Sequence, residues 1–291
     1  MTDLSTLEPP ASRAPGRGAD QAFTVTHASP FIGSEVGGID LKEAQGDATI
    51  QALRDLLHDR AVLFFRDQHL SPEQQIKVTE FFGAPRVYGD ARMGSPYPGV
   101  GLIDSIHEIS GRVDRWHADL TSQEKPITVR LLQAVTLPAL GGDTIWASTE
   151  AAYDRLAEPL KRLAESLTAI HAVTPITIPE WNDKQRASFH WTEHPVVRVH
   201  PQTGRRSLYV SPRFTPEIVG LRPHESAAVL KVFFDHITQP EHQVRFRWEP
   251  GSLAIWDNRS CLHYAVNDYG EGRRIMHGTS VEGERPVGIQ G

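Results

Sequence analysis

Apolar and polar residues alternate through Phe23-Thr24-Val25-Thr26, the period of two expected of a half-buried strand, and a glycine-rich turn region follows at Gly33, Gly37 and Gly38. The rhythm then changes. Ile50, Leu53, Leu56 and Leu57 fall on one stripe at helical spacing, which predicts a helix over roughly 48–59. The unbroken apolar run Ala61-Val62-Leu63-Phe64-Phe65 predicts a buried strand. Ser71-Pro72-Glu73-Gln74 reads as a helix start, with Ser71 as cap, Pro72 in the first turn and Gln74 completing a capping box.

Residues 128–137 are rich in branched side chains, as a central strand should be, and lead into Gly141-Gly142-Asp143-Thr144-Ile145-Trp146. Over 149–167, where a helical pair is expected, Leu156, Leu160, Leu163 and Leu167 recur at i, i+4, i+7 and i+11, a stripe assigned to the core. No period survives from 175 to 193, where prolines, aromatics and polar groups mix, so a long lid-like loop is expected there. A hairpin is predicted from His194–His200 and Ser207–Val210 around Pro201, Thr203 and Gly204. A helix at 223–237 begins behind Pro223, and strands follow at 243–248, 252–256, 262–266 and 274–282.

Composition narrows the class. A chain of 291 residues with 39% hydrophobic content can bury one large core, so a single domain over 23–291 is expected behind a flexible tail at 1–22. A net charge of −6 supplies no basic field for nucleic acid, which is excluded as a partner. The only cysteine is Cys261, so no intrachain disulfide can form and a cytoplasmic setting is expected, with no export signal and no membrane partner.

Candidate chemistry sits at His117-Ala118-Asp119, the only His-x-acid pair in the chain. In an extended segment, residues two apart share a face and can reach one ion. Taken alone, such a pair is more often a hydrogen-bonded surface or core contact than a metal site. Two imidazoles and a carboxylate with open positions suit non-haem iron(II), but spacing does not select the second imidazole from His171, His190, His194, His200, His242, His263 and His277.

The run Ile255-Trp256-Asp257-Asn258-Arg259, His263-Tyr264-Ala265, Asp268-Tyr269 and Arg273-Arg274-Ile275-Met276-His277 resembles the C-terminal motif of the taurine dioxygenase family of iron(II)/2-oxoglutarate-dependent dioxygenases. Trp116–Thr121 is similar to its first metal motif, Gly141–Thr144 to its cosubstrate segment, and Ile32–Leu41 and Phe65–Gln68 to earlier family segments, in order along about 23–286. The resemblance implies a mixed α/β chain with an all-β core, a double-stranded β-helix (jelly roll, cupin-like) flanked by helices. It implies Fe(II) held by His117, Asp119 and His263, and 2-oxoglutarate held by Arg274 and Thr144, with O2 as the other cosubstrate. The expected reaction oxidises, most simply hydroxylates, a small organic substrate and releases succinate and CO2. Halogenating relatives lack the carboxylate ligand, so Asp119 argues for oxidation. Dimers or tetramers are the family's usual assemblies. A non-catalytic jelly-roll binding protein and a zinc hydrolase are the competing readings.

Strand parity puts the two arginines on opposite faces; the resemblance to the family motif implies that Arg274 is the one facing the cosubstrate, which leaves Arg273 facing outward to an ion pair or solvent. Met276 and Gly278 share the face of Arg274. Sulfonate- and sulfate-oxidising relatives carry an arginine at the position matching Gly278 and a histidine at that of Tyr88, so both anion contacts are missing and taurine is expected to be a poor substrate. Phe214 matches a substrate-facing aromatic, Leu120 follows the metal motif, and Arg213 is a candidate replacement cation, alongside Arg86, Arg92 and Arg115. Arg213 is otherwise expected to be a solvated loop residue. Cys261 is expected to be an inert buried thiol, and Trp116 and Trp256 to be aromatics packed against the site.

Overall fold

The computed structural model describes residues 23–87, 97–105, 114–173 and 191–289. Strands β1 (Thr24–His27) and β2 (Ser34–Gly37) precede helix α1 (Asp47–Arg60), β3 (Val62–Phe65) and α2 (Pro72–Glu80). Then come β4 (Gly101–Asp104), β5 (Val129–Thr136), β6 (Thr144–Ser148), α3 (Thr149–Arg155), α4 (Glu158–Glu165) and β7 (Thr168–Ala172). After β8 (Trp191–Pro195), β9 (Val197–Val199), β10 (Arg206–Leu208) and β11 (Glu217–Ile218), α5 (Pro223–Ile237) leads to β12 (Gln243–Phe246), β13 (Leu253–Asp257), β14 (Cys261–Ala265) and β15 (Ile275–Ser280).

Seven strands form one sheet in the order β1-β2-β3-β13-β5-β15-β4, antiparallel except where β2 runs parallel to β3. A second, antiparallel sheet is ordered β12-β6-β14. Side-chain parity partitions the core into three layers. Val62, Phe64, Leu132, Ala134, Ala254, Trp256 and Met276 of the large sheet meet Trp146, Val244, Phe246 and Cys261 of the small one, which forms the interior of the jelly roll. The alternate positions Leu63, Phe65, Val129, Leu131, Leu253 and Ile255 face Leu53, Leu56 and Leu57 of α1 and Val78 of α2. Behind the small sheet, Ala147 and Leu262 pack on Tyr153 of α3 and Leu230, Phe233 and Ile237 of α5. Each fully buried leucine or phenylalanine contributes roughly 1.5–3 kcal/mol, so both helical layers are anchored through a few side chains.

Local signals match well where they are chemically specific. Ser71 Oγ accepts from Gln74 N at 3.2 Å while Gln74 Oε1 accepts from Ser71 N at 2.8 Å, the reciprocal capping box, with Pro72 in the first turn. Helix α5 begins at Pro223 as the sequence predicts. Other expectations are corrected. The 149–167 segment is the expected helical pair, divided where Leu156 turns extended and Pro159 opens α4, but its leucines do not form one core stripe. The break takes Leu163 out of the stripe, to 37% exposure, while Leu156 stays buried. Most of the expected lid, 174–190, lies outside the described residues, as does Tyr88; residues 191–193 are strand, since β8 pairs with β7 through Ala169–His194. His194 and Pro195 therefore belong to that pairing, and the hairpin is formed by β9 and β10 alone. No described helix is long and apolar enough to cross a membrane.

Candidate active site

β14 presents Cys261, His263 and Ala265 to the jelly-roll interior, because Leu262 is committed to the opposite core. His117 is brought beside it by an isolated antiparallel bridge: His117 N donates to His263 O at 3.0 Å, and His263 N donates to His117 O at 2.8 Å. The 114–120 segment is thus no regular strand, and its two-residue spacing works through this one bridge and the turn after it. Asp119 stands at that turn, before Leu120 with φ of 57°. Asn258 fixes the turn from the β13–β14 connection: its Oδ1 accepts from Asp119 N at 2.7 Å, and its Nδ2 donates to Asp119 O at 2.9 Å and Ile127 O at 3.1 Å.

The ligand atoms of His117, Asp119 and His263 all lie within 4.8 Å of one another. His117 Nε2 is 3.7 Å from Asp119 Oδ1, and His263 Nε2 is 3.8 Å from Asp119 Oδ2. These gaps are too long for hydrogen bonds. They are of the order expected of donors sharing one ion, since each metal–ligand bond is about 2.0–2.2 Å. The donor chemistry fits as well. His117 Nδ1 is bonded to Arg115 O at 2.7 Å, which fixes the ring with Nε2 as the free lone pair. Burial, then His263, push the His117 pKa far below its usual value, and burial pushes that of His263 down, so both imidazoles are neutral. Burial by itself would raise the Asp119 pKa, but the positive charges it meets, His263 or His117 when protonated and the guanidiniums of Arg130 and Arg213 always, hold it below the ordinary value, so the carboxylate is ionised. Two neutral imidazoles and an anionic carboxylate on one side of an ion are the donor set of iron(II) oxygenases.

A second cluster, His58, His200 and Asp257, has comparable spacing but different chemistry. Arg259 already spans both Asp257 oxygens at 2.8 and 2.6 Å, and His200 Nε2 adds a contact at 3.0 Å. The guanidinium occupies the position a cation would take, so this cluster is an ion-pair network that braces the β13–β14 turn.

Thr144, at the start of β6, meets Arg274 just before β15. Arg274 donates from Nε to Gly142 O at 3.0 Å and from a terminal nitrogen to Thr144 Oγ1 at 3.5 Å, and Trp248 Nε1 donates to Thr144 Oγ1 at 3.0 Å. A Cβ at Gly142 would press on Arg274 Cδ at 3.1 Å, and its φ of +73° favours glycine, so this glycine is what lets the guanidinium lie against the turn. Arg273 points the other way and pairs with Asp104 at 2.8 Å, as parity predicts.

Phe214 packs edge-on against His117 with ring centroids 5.8 Å apart, and Trp256 tilts against His263 at 4.9 Å. Trp116 lies one step outward, on Tyr264 at 5.5 Å. Leu120 is partly buried beside Asp119. Cys261 is buried and donates to Asp257 O at 3.2 Å; burial holds its thiol well above the usual range. Arg213 departs from expectation: it is 3% exposed, with its guanidinium 5.3 Å over the Phe214 ring. Arg115 is exposed, Arg86 reaches Gln123 and Glu282, and Arg92 lies outside the described residues. Gly278 departs too. The room left by its missing side chain is filled by Arg130, whose terminal nitrogen would lie 2.5 Å from a Cβ at that position. Arg130 and Asn258 were not singled out from the sequence. A lone arginine within the apolar run Val129–Ala134, at the parity of Leu132 and Ala134, was the available signal for the first, and adjacency to Asp257 in the C-terminal motif for the second.

A jelly roll carrying two neutral imidazoles and a carboxylate at one end of its sandwich defines the class of non-haem metal oxygenases. The chain belongs to the family described as "Taurine catabolism dioxygenase TauD, TfdA family", whose model matches residues 24–280. It is 37% identical over 279 residues to an alpha-ketoglutarate-dependent sulfate ester dioxygenase of Pseudomonas putida, covering 89% of each chain. It is 36% identical over 276 residues to an alkylsulfatase of Acinetobacter baylyi, covering 89% of this chain and 85% of that one. A crystal structure of a taurine dioxygenase from Burkholderia xenovorans superposes with a TM-score of 0.81 at 36% identity, over 93% of this chain and 97% of that one.

Proposed function

We propose that this protein is an iron(II)- and 2-oxoglutarate-dependent dioxygenase that oxidises a small organic molecule, with release of succinate and CO2. The observation that carries the reading is the convergence of His117, Asp119 and His263 within 4.8 Å, in a chain that belongs to this family. His117, Asp119 and His263 would hold the metal, which when bound supplies the oxygen chemistry that couples decarboxylation of 2-oxoglutarate to substrate oxidation. Arg274 would take the distal carboxylate of 2-oxoglutarate with a charge-assisted bond from its guanidinium, and Thr144 would add its hydroxyl. Trp248 orients that hydroxyl through Nε1, and Gly142 O holds Arg274 in place. Trp146, Trp256 and Met276 wall the interior and exclude water, which strengthens each of these electrostatic contacts. Asn258 sets the position of Asp119 through its backbone, and ionised Asp119 gives the metal its single protein anion. With a single cysteine, Cys261, which is buried, the chain has no use for intrachain disulfides, and this fits a reducing cytoplasmic setting.

The test is anaerobic addition of iron(II) and then 2-oxoglutarate to the purified protein, followed by air. A visible charge-transfer absorption that fades in oxygen with succinate formation is the expected result. No absorption and no oxygen-dependent succinate would overturn the reading in favour of a binding protein or a zinc hydrolase.

A further inference from the structure

Arg130 is an unusual residue for its place. It sits in β5 between Val129 and Leu131, pairs across the sheet with Trp256 of β13 and Ser280 of β15, and points to the interior face shared by Leu132 and Ala134. It is 6% exposed. One terminal nitrogen donates to Ser280 Oγ at 2.7 Å, and its Nε lies 3.8 Å from Asp119 Oδ2, beyond hydrogen-bonding distance. Its guanidinium carbon would lie 2.9 Å from a Cβ at Gly278. The guanidinium therefore occupies the volume in which an arginine side chain at 278 would start, reached from the neighbouring strand.

Holding a guanidinium there has a cost that metal binding does not explain. A cation beside a metal's only carboxylate ligand opposes the metal's own charge. A second cation, Arg213, is buried against Phe214 and acts on the same three ligands. Both guanidiniums are buried beside the ligand cluster, Arg130 in the space that faces Gly278 and Arg213 over Phe214, where each could add a charge-assisted bond to an oxyanion.

We infer that Arg130, in the space left by Gly278 and assisted by Arg213, is the specificity-determining cation for a substrate bearing an oxyanion headgroup, a sulfate ester or a carboxylate. Two arginine forks match the planar edge of either headgroup. On this reading the absence of an arginine at 278 does not leave the pocket without a cation, and the expectation that taurine is a poor substrate would rest on the position of the cation and not on its loss. This inference rests on the dioxygenase reading for what becomes of the bound anion, but not for the anion binding itself.

Calorimetry separates the two. Hexyl sulfate, heptanoate and uncharged hexanol are titrated into the full chain, alone and with iron(II) and 2-oxoglutarate under anaerobic conditions. The proteins are wild type, Arg130→Gln, and the double variant Arg130→Ala/Gly278→Arg, each checked for fold by circular dichroism. Wild type is expected to bind at least one anion and to bind hexanol at least tenfold more weakly. Losing one arm of a buried charge pair typically costs enough to weaken binding ~30-fold or more, so Arg130→Gln should lose at least that for the anion with little change for hexanol. The double variant should recover most of the loss, which a merely structural arginine would not allow. Preference for hexyl sulfate or for heptanoate assigns the headgroup. Equal binding of hexanol and the anions by wild type, or a loss under threefold in Arg130→Gln, overturns the inference. If the charge-transfer absorption is missing but the anion binds through Arg130, the dioxygenase reading fails and the anion site stands.

Discussion

Burial pushes the Asp119 carboxyl toward its protonated form, and the guanidiniums of Arg130 and Arg213 around it oppose that push. That balance makes single residues here expensive to change. Replacing His117 or Asp119 by alanine removes one of three metal donors, so oxygen-dependent succinate formation should fall by at least 100-fold while circular dichroism stays native; full activity in either variant would exclude this donor set. Arg274→Gln removes the charge from the cosubstrate anchor, and the concentration of 2-oxoglutarate needed for half-maximal charge-transfer absorption should rise by roughly 30-fold or more. Gly278→Arg on its own is expected to destabilise, because the new side chain meets Arg130 rather than open space; overpacking of this kind costs about 1–3 kcal/mol, readable as a lower urea midpoint. The metal and cosubstrate candidates were legible in the sequence because each belongs to a short motif with fixed spacing. Arg130 was not, since its partner is a glycine nearly 150 residues away and the relation between them is one of volume.

The elements that carry the site are held by two devices of different legibility. The capping box of α2 is written in four consecutive residues, and Ser71→Ala should cost about 1 kcal/mol in chemical denaturation, with no change in 2-oxoglutarate binding. The β13–β14 turn depends instead on Asp257, fully buried between Arg259 and His200, with Asn258 between the paired residues reaching across to Asp119. Arg259→Met would leave a buried carboxylate without its main cation, at about 3–5 kcal/mol, and should weaken iron binding as well because Asn258 loses its brace. Helix α1, β3 and α5 were readable from period and caps, whereas the 149–167 stripe misled at Leu163. Its leucines kept helical spacing across a proline that resets the helix, and periodicity carries no information about such a break. The one-bridge pairing of His117 with His263 was equally invisible, since the local sequence reads as a strand.

Over the whole molecule, two buried carboxylates give stability opposite dependences on pH. Asp257 is held far below the usual range, despite burial, by Arg259 and His200, so its contribution is complete above about pH 4 and is lost on acidification below that. Burial raises Glu150 to about 7 against the pull of Arg205, so the folded state binds the extra proton. Its contribution is present below about pH 4.5 and lost as pH rises through about 7, worth up to about 3 kcal/mol. Urea unfolding at pH 5 and pH 8 should show Glu150→Gln gaining stability relative to wild type on alkalinisation, on top of the rise with pH that the buried neutral histidines give both proteins; an identical pH dependence in the two would show that Arg205 keeps Glu150 ionised throughout. By itself the sequence determined most strand and helix periods, the opposite faces of Arg273 and Arg274 and, through the family resemblance of short motifs, the metal and cosubstrate candidates, because these depend on neighbours a few residues apart and on side-chain alternation. Only the tertiary structure decided how His263 is bridged to His117, what clamps Asp119, where Arg213 is buried and what fills the space at Gly278. Those answers depend on the register between strands far apart in the chain and on the volume left between packed side chains, and neither is a property of any local segment.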